Sequence, residues 1–131
     1  MIKPLLSVLI FLTQIFHSGL VQGDIVDSLS ALFKSANSKE ISKSFSPSVE
    51  LTINEEEDVY TKAQAEQILR DFFTKNAPVN SAVVHLINTN PNYRFGILSL
   101  TTKTGKFRVA ITLKKTANTF FITELRVEPD K

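Results

Sequence analysis

Residues 81–128 hold four runs of strand-forming sequence separated by very short connections. In the third run Phe107, Val109, Ile111 and Leu113 alternate with Arg108, Ala110, Thr112 and Lys114. That period of two puts one set on a core and the other away from it. Residues 81–88, 93–102 and 120–128 supply the other three runs. The links are residues 88–92, the turn Lys103-Thr104-Gly105, and a turn around Ala117 and Asn118, all built from turn formers. Connections this short join only antiparallel neighbours. The second half of the chain is therefore expected to be an antiparallel sheet, and the first half must supply its cover.

The first half reads as that cover. Over residues 24–36, Ile25, Leu29, Leu32, Phe33 and Ala36 recur at helical spacing, with Asp24 placed to cap the start. Asn37 and Glu40 have the spacing of a capping box for a second, short helix, with Ile41 and Phe45 inward and Pro47 ending it. Val49, Leu51 and Ile53 alternate with polar residues as a half-buried strand. An acidic turn over 54–58 and a short strand over 59–61 follow. Thr61 and Gln64 open a third helix, with Ala65, Ile68, Leu69, Phe72 and Phe73 on one stripe and Pro78 beyond its end. Three helical stripes need one sheet face to bury them. The fold class is α+β, with three helices on one face of a curved, mostly antiparallel sheet.

The extreme N-terminus has a different character. Lys3 precedes an apolar run over residues 5–16, and Val21 and Gly23 supply the small residues of a cleavage site. Residues 1–23 are expected to be a signal peptide, and residues 24–131 a single domain. The run is shorter than the ~20 apolar residues a spanning helix needs, so no membrane association is expected after cleavage. The chain contains no cysteine, which removes both disulfides and a lipid-modified anchor. A periplasmic or secreted location follows. The formal net charge of +2 includes Lys3 and lacks the basic excess of nucleic-acid binders, whose affinity comes largely from phosphate neutralisation.

Three motifs sharpen the picture: Tyr93-x-x-Gly96-x-Leu98, Gly105-x-Phe107-Arg108-Val109, and Ile122-x-Glu124-Leu125-Arg126-x-Glu128. The order of elements and the length of the domain resemble the nuclear transport factor 2-like superfamily, the cone-shaped (cystatin-like) α+β fold, and the motifs narrow the likeness. Within it they are most similar to a family of small exported Bacteroidota proteins of unknown function. The resemblance implies a pocket between the concave sheet face and the helices, and dimerisation through the convex face. It implies no reaction, because this fold hosts isomerases, dehydratases, transport factors and inert binding modules alike.

Few residues offer chemistry. His85 is the one candidate general base, and Asp71 the acid that the fold would have to bring to it. Lone, without a carboxylate on its own strand, His85 reads as a hydrogen-bonded structural residue at the sheet edge. Glu55, Glu56, Glu57 and Asp58 lack the spacing and the glycine of a calcium loop and read as a solvated hairpin tip. No metal or other cofactor is expected. Phe33, Phe72, Phe73, Phe107 and Phe121 fall at inward spacing and would line any pocket for a small apolar ligand. On the outward face, strict alternation places Arg108, Ala110, Phe120, Ile122, Glu124 and Arg126 together, the mixture expected of a homodimer patch. Lys106 and Lys114 extend the basic row, and Glu124 and Glu128 balance it. The expected function is a non-enzymatic binding or interaction module of the bacterial envelope, for a small apolar ligand or an envelope protein. The alternatives are a small isomerase or dehydratase using His85, and a structural envelope dimer.

Overall fold

The computed structural model describes residues 24–130. The expected signal peptide lies outside the described residues. Helix α1 (Ile25–Lys34) starts at a capping box: the Asp24 carboxylate accepts from the Val26 amide, and the Asp24 amide donates to the Asp27 carboxylate. Its buried stripe is Val26, Leu29 and Phe33; Leu29 and Phe33 are on the expected face, Val26 joins them, and Ile25, Leu32 and Ala36 pack at the flanks. The helix closes with Ala36 in the left-handed region, where the Asn37 amide donates to the Leu32 carbonyl and the Ala36 amide to that of Phe33.

Helix α2 (Ser38–Ser42) follows at once, with Asn37 accepting from the Glu40 amide. The expected reciprocal half of that capping box is missing because the Asn37 amide is already used by α1. Glu40 pairs with Lys43 instead, at 2.7 Å. The second helix is also shorter than expected. Phe45, assigned to it from spacing, is the fully buried first residue of β1 (Phe45–Ile53). Pro47 lies inside that strand, in the stretch where pairing with β6 loses register, the place where a missing N–H costs no ladder bond.

Strand β2 (Glu56–Thr61) begins earlier than expected. Asn54 and Glu55 both have positive φ, the geometry of a two-residue hairpin turn, so Glu56 already pairs with Ile53. Helix α3 (Lys62–Lys75) opens with the expected Thr61–Gln64 capping box, complete in both directions. Strands β3 (Pro78–Ile87), β4 (Tyr93–Thr102), β5 (Gly105–Thr116) and β6 (Thr119–Pro129) complete the chain. The six strands are ordered β2-β1-β6-β5-β4-β3, with β1 parallel to β6 and every other neighbour antiparallel. No helix among the described residues is long and apolar enough to cross a membrane.

The core lies between the helices and one face of this sheet. Phe33, Phe45, Leu29, Ile41, Leu69, Leu98, Leu100, Ile111, Leu113 and Leu125 are fully buried there. Each such side chain contributes ~1.5–3 kcal/mol by leaving water. Gly96 sets how closely α1 approaches: a Cβ at that position would lie 2.6 Å from Val26 Cγ1. Near the N-terminus, Arg94 of β4 bonds the Asp24 carboxylate at 3.0 Å and stacks its guanidinium 4.6 Å over the Phe120 ring.

One irregularity corrects the expected facing of β6. Thr112 pairs with Glu124 but Leu113 pairs with Ile122, so Thr123 is an extra residue in β6. A bulge of this kind reverses the alternation. Ile122, expected on the outward face, is fully buried in the core, and Phe120 packs against that core. Phe121, expected inward, stands opposite Lys114 with its face turned the other way.

Candidate functional site

Helix α3 carries two adjacent stripes. Ala65, Leu69, Phe72 and Phe73 face the core. Ile68, Asp71, Phe72 and Lys75, at helical spacing, border a cavity against the β1–β2 hairpin. Its volume is about 270 Å³, just below the range usual for ligand sites. Leu51, Ile53 and Tyr60 complete an apolar floor with Ile68 and Phe72, and Asn54, Glu56, Asp71, Lys75 and Asn76 form the rim. On its open side it shares Tyr60 and Ile68 with a shallow depression against Ala63, Gln64 and Gln67.

The hairpin places its share of this lining by register. Ile53 pairs with Glu56 and Val49 with Tyr60, so Glu56 and Tyr60 stand on the same side of the sheet as the core residues of β1. Asn76 closes the far end rigidly. Its backbone and side-chain nitrogens both donate to the Phe72 carbonyl, at 2.8 and 3.0 Å, and its side-chain oxygen accepts from the Thr104 hydroxyl. Asp71 accepts from the Gln67 amide at 3.2 Å. Glu56 and Lys75 make no ion pair among the described residues.

The phenylalanines expected to line a pocket are mostly spent on the core. Phe33 meets Phe73, Phe73 meets Phe72, and Phe72 meets Phe107, edge to face at 5.7, 5.8 and 4.9 Å between centroids. Such a run fills its own space. Only Phe72 of the five also touches the cavity. Spacing found the apolar stripe of α3 but not the cavity, because Leu51, Tyr60 and Ile68 come together only once the hairpin folds over the helix.

His85 and Asp71 are not brought together. His85 is exposed on β3, in register with Ile97 at one edge of the sheet, and makes no side-chain hydrogen bond among the described residues. Asp71 borders the cavity at the β1–β2 edge. His85 thus stands at the sheet edge, as expected, without the hydrogen-bond partner expected for it among the described residues.

The face opposite the helices has two characters. Toward β3 and β4 it carries apolar residues beside His85: Ile97 is buried although it lies outside the core cluster, and Val84 and Ile87 are among the most exposed large apolar residues. Toward β6 it is charged: Arg126 reaches Glu128 at 3.3 Å, Glu57 at 3.8 Å and Glu124 at 3.9 Å. Arg108 stands opposite Glu128, and Ala110 lies between Ile97 and Arg126. Four of the six residues assigned to an outward patch, Arg108, Ala110, Glu124 and Arg126, thus share this face.

Comparison with known proteins agrees with the geometry. No curated protein is significantly similar in sequence. A DUF4783 family protein from Bacteroides ovatus ATCC 8483 is 30% identical, with a TM-score of 0.74 over 79% of this chain and 93% of that one. Another, from Bacteroides uniformis ATCC 8492, is 26% identical, with a TM-score of 0.78 over 82% and 99%. At 11% identity the chain named Rd1NTF2_05 shares the fold alone, with a TM-score of 0.61 over 79% and 92%. The architecture is nuclear transport factor 2-like, as the order of elements implies. The model of the domain of unknown function DUF4783 matches residues 26–128, nearly the whole described domain, and the chain belongs to that family.

Proposed function

We propose that this domain is a non-enzymatic binding module, exported to the bacterial envelope by residues 1–23, that takes a small amphipathic ligand between α3 and the β1–β2 hairpin. The observation that carries the reading is the cavity itself, an apolar floor of Leu51, Ile53, Tyr60 and Phe72 with polar groups around its mouth. Sites of that composition bury an apolar body and orient it by a few polar contacts. The lining is more polar than a purely apolar ligand would need. The separation of His85 from Asp71 weighs against a proton-abstracting enzyme, because a general base acts only within hydrogen-bond reach of its proton and its orienting partner.

The test is titration of ¹⁵N-labelled protein with short-chain alcohols, amines and carboxylates. Amide shifts should concentrate at Leu51, Tyr60, Ile68 and Asn76. Ile68→Trp, which fills the cavity from a half-exposed position, should abolish them while leaving the remaining spectrum native. Perturbation centred on β3, or none at any residue, would end the reading.

A second reading rests on the uncovered sheet face. Exposed apolar residues beside paired charges are the composition of an interface core with its rim. Self-association there would set Ile87 and its cross-strand neighbour Phe95 against their copies and let Arg126 of one protomer meet Glu124 of its partner, as two-fold symmetry allows.

A further inference from the structure

Resting on the cavity reading, we infer that the ligand of the α3–hairpin cavity is a small organic cation: an ammonium group on a short apolar body. Two carboxylates, Glu56 and Asp71, stand on the rim against one ammonium, Lys75. The excess is negative, and because these side chains are exposed their field at the site is open to screening by salt. Helix α3 adds to it. Its last turn, Lys75 with the cap residue Asn76, borders the cavity, so the carbonyl end of the helix dipole lies at the site and attracts positive charge.

The floor matches the same chemistry. Tyr60 is the aromatic ring that joins the cavity to the depression beside it, and a ring face attracts an ammonium group directly. Leu51, Ile53 and Ile68 accept a short alkyl chain. Lys75 offsets one of the two carboxylates and leaves one negative charge in excess among the lining residues. Glu56 has no cation of the chain bound to it among the described residues, which leaves it free to pair with a ligand.

Three probes of one chain length separate the contributions: n-butylammonium, n-butanol and n-butyrate, each titrated into the ¹⁵N-labelled protein at low ionic strength. The ammonium probe should bind at least about tenfold more tightly than the carboxylate, with butanol between them, and added salt should narrow the gap. Glu56→Gln with Asp71→Asn should remove the preference for the ammonium over the carboxylate probe. Equal affinity for all three, or tighter binding of butyrate, would overturn the cationic ligand while leaving the cavity as a binding site. If no probe shifts the cavity amides, both the inference and the reading beneath it fall.

Discussion

Gly96 shows what a single residue decides in this fold. The methyl group of an alanine there would collide with a buried, β-branched Val26 that has no room to turn. Gly96→Ala should therefore destabilise the domain by about 1–3 kcal/mol, the cost of overpacking a filled core. Adding Val26→Ala should recover part of the loss, and urea unfolding of the two single variants and the double variant would measure the coupling. Glu66 offers a second test. Hydrogen bonds from Arg70 lower its pKa, burial opposes them, and the Ser38 hydroxyl and the charges of Arg70 and Lys39 add smaller lowering effects. A carboxyl whose pKa is depressed in the folded state stabilises above its unfolded pKa and loses that contribution as pH falls through the folded value. Replacement by glutamine should flatten the acid side of the stability profile, in denaturant midpoints followed downward from neutral pH. An unchanged profile would mean that the Ser38–Glu66–Arg70 link does not contribute to stability.

Among the elements, the hairpin turns carry the least favourable backbone. Ala117 and Asn118 both have positive φ, at 51° and 66°, and the pair connects β5 to β6 in two residues. Such a turn suits asparagine and glycine, whereas alanine in the left-handed region is strained by its own Cβ. Ala117 is exposed and lies outside the core, so little packing is lost with its methyl. Ala117→Gly should raise stability by about 0.5–1 kcal/mol, the strain relieved less the extra entropy of the unfolded chain. Differential scanning calorimetry would show this as a rise of a few degrees in Tm. Ala36 has similar backbone geometry but packs against the core, so the same change there gives up apolar contact as it relieves strain.

For the molecule as a whole, the second reading of the sheet face predicts self-association. Ile87 is 41% exposed on β3, near the apolar end of that face. Ile87→Lys should shift the protein toward monomer in analytical ultracentrifugation with its circular dichroism unchanged. A wild-type protein that stays monomeric at high micromolar concentration would sink self-association and leave the face to a different partner. Ile122 serves as the contrast: it lies in the core, so a lysine there should unfold the domain rather than dissociate it.

Much of the architecture is local information, and the sequence by itself determined it. Alternation in β5, the Thr61–Gln64 cap and the short connections after residue 88 are signals carried by neighbouring residues, and the sheet of the second half and the stripe of α3 follow from them. Tertiary structure decided the rest wherever one residue changed the count. Thr123 is indistinguishable from any other strand residue until β5 pairs with β6, yet it reverses the facing of Phe120, Phe121 and Ile122. Phe45 has helical spacing from Ile41, but parallel pairing with β6 draws it into β1. The cavity is the same kind of outcome. Leu51, Tyr60 and Ile68 have unremarkable places in their own elements, and they meet because a two-residue turn folds the hairpin back and α3 then lies across it. Periodicity tells a side chain which face of its element it occupies; only packing decides what stands on the other side of that face.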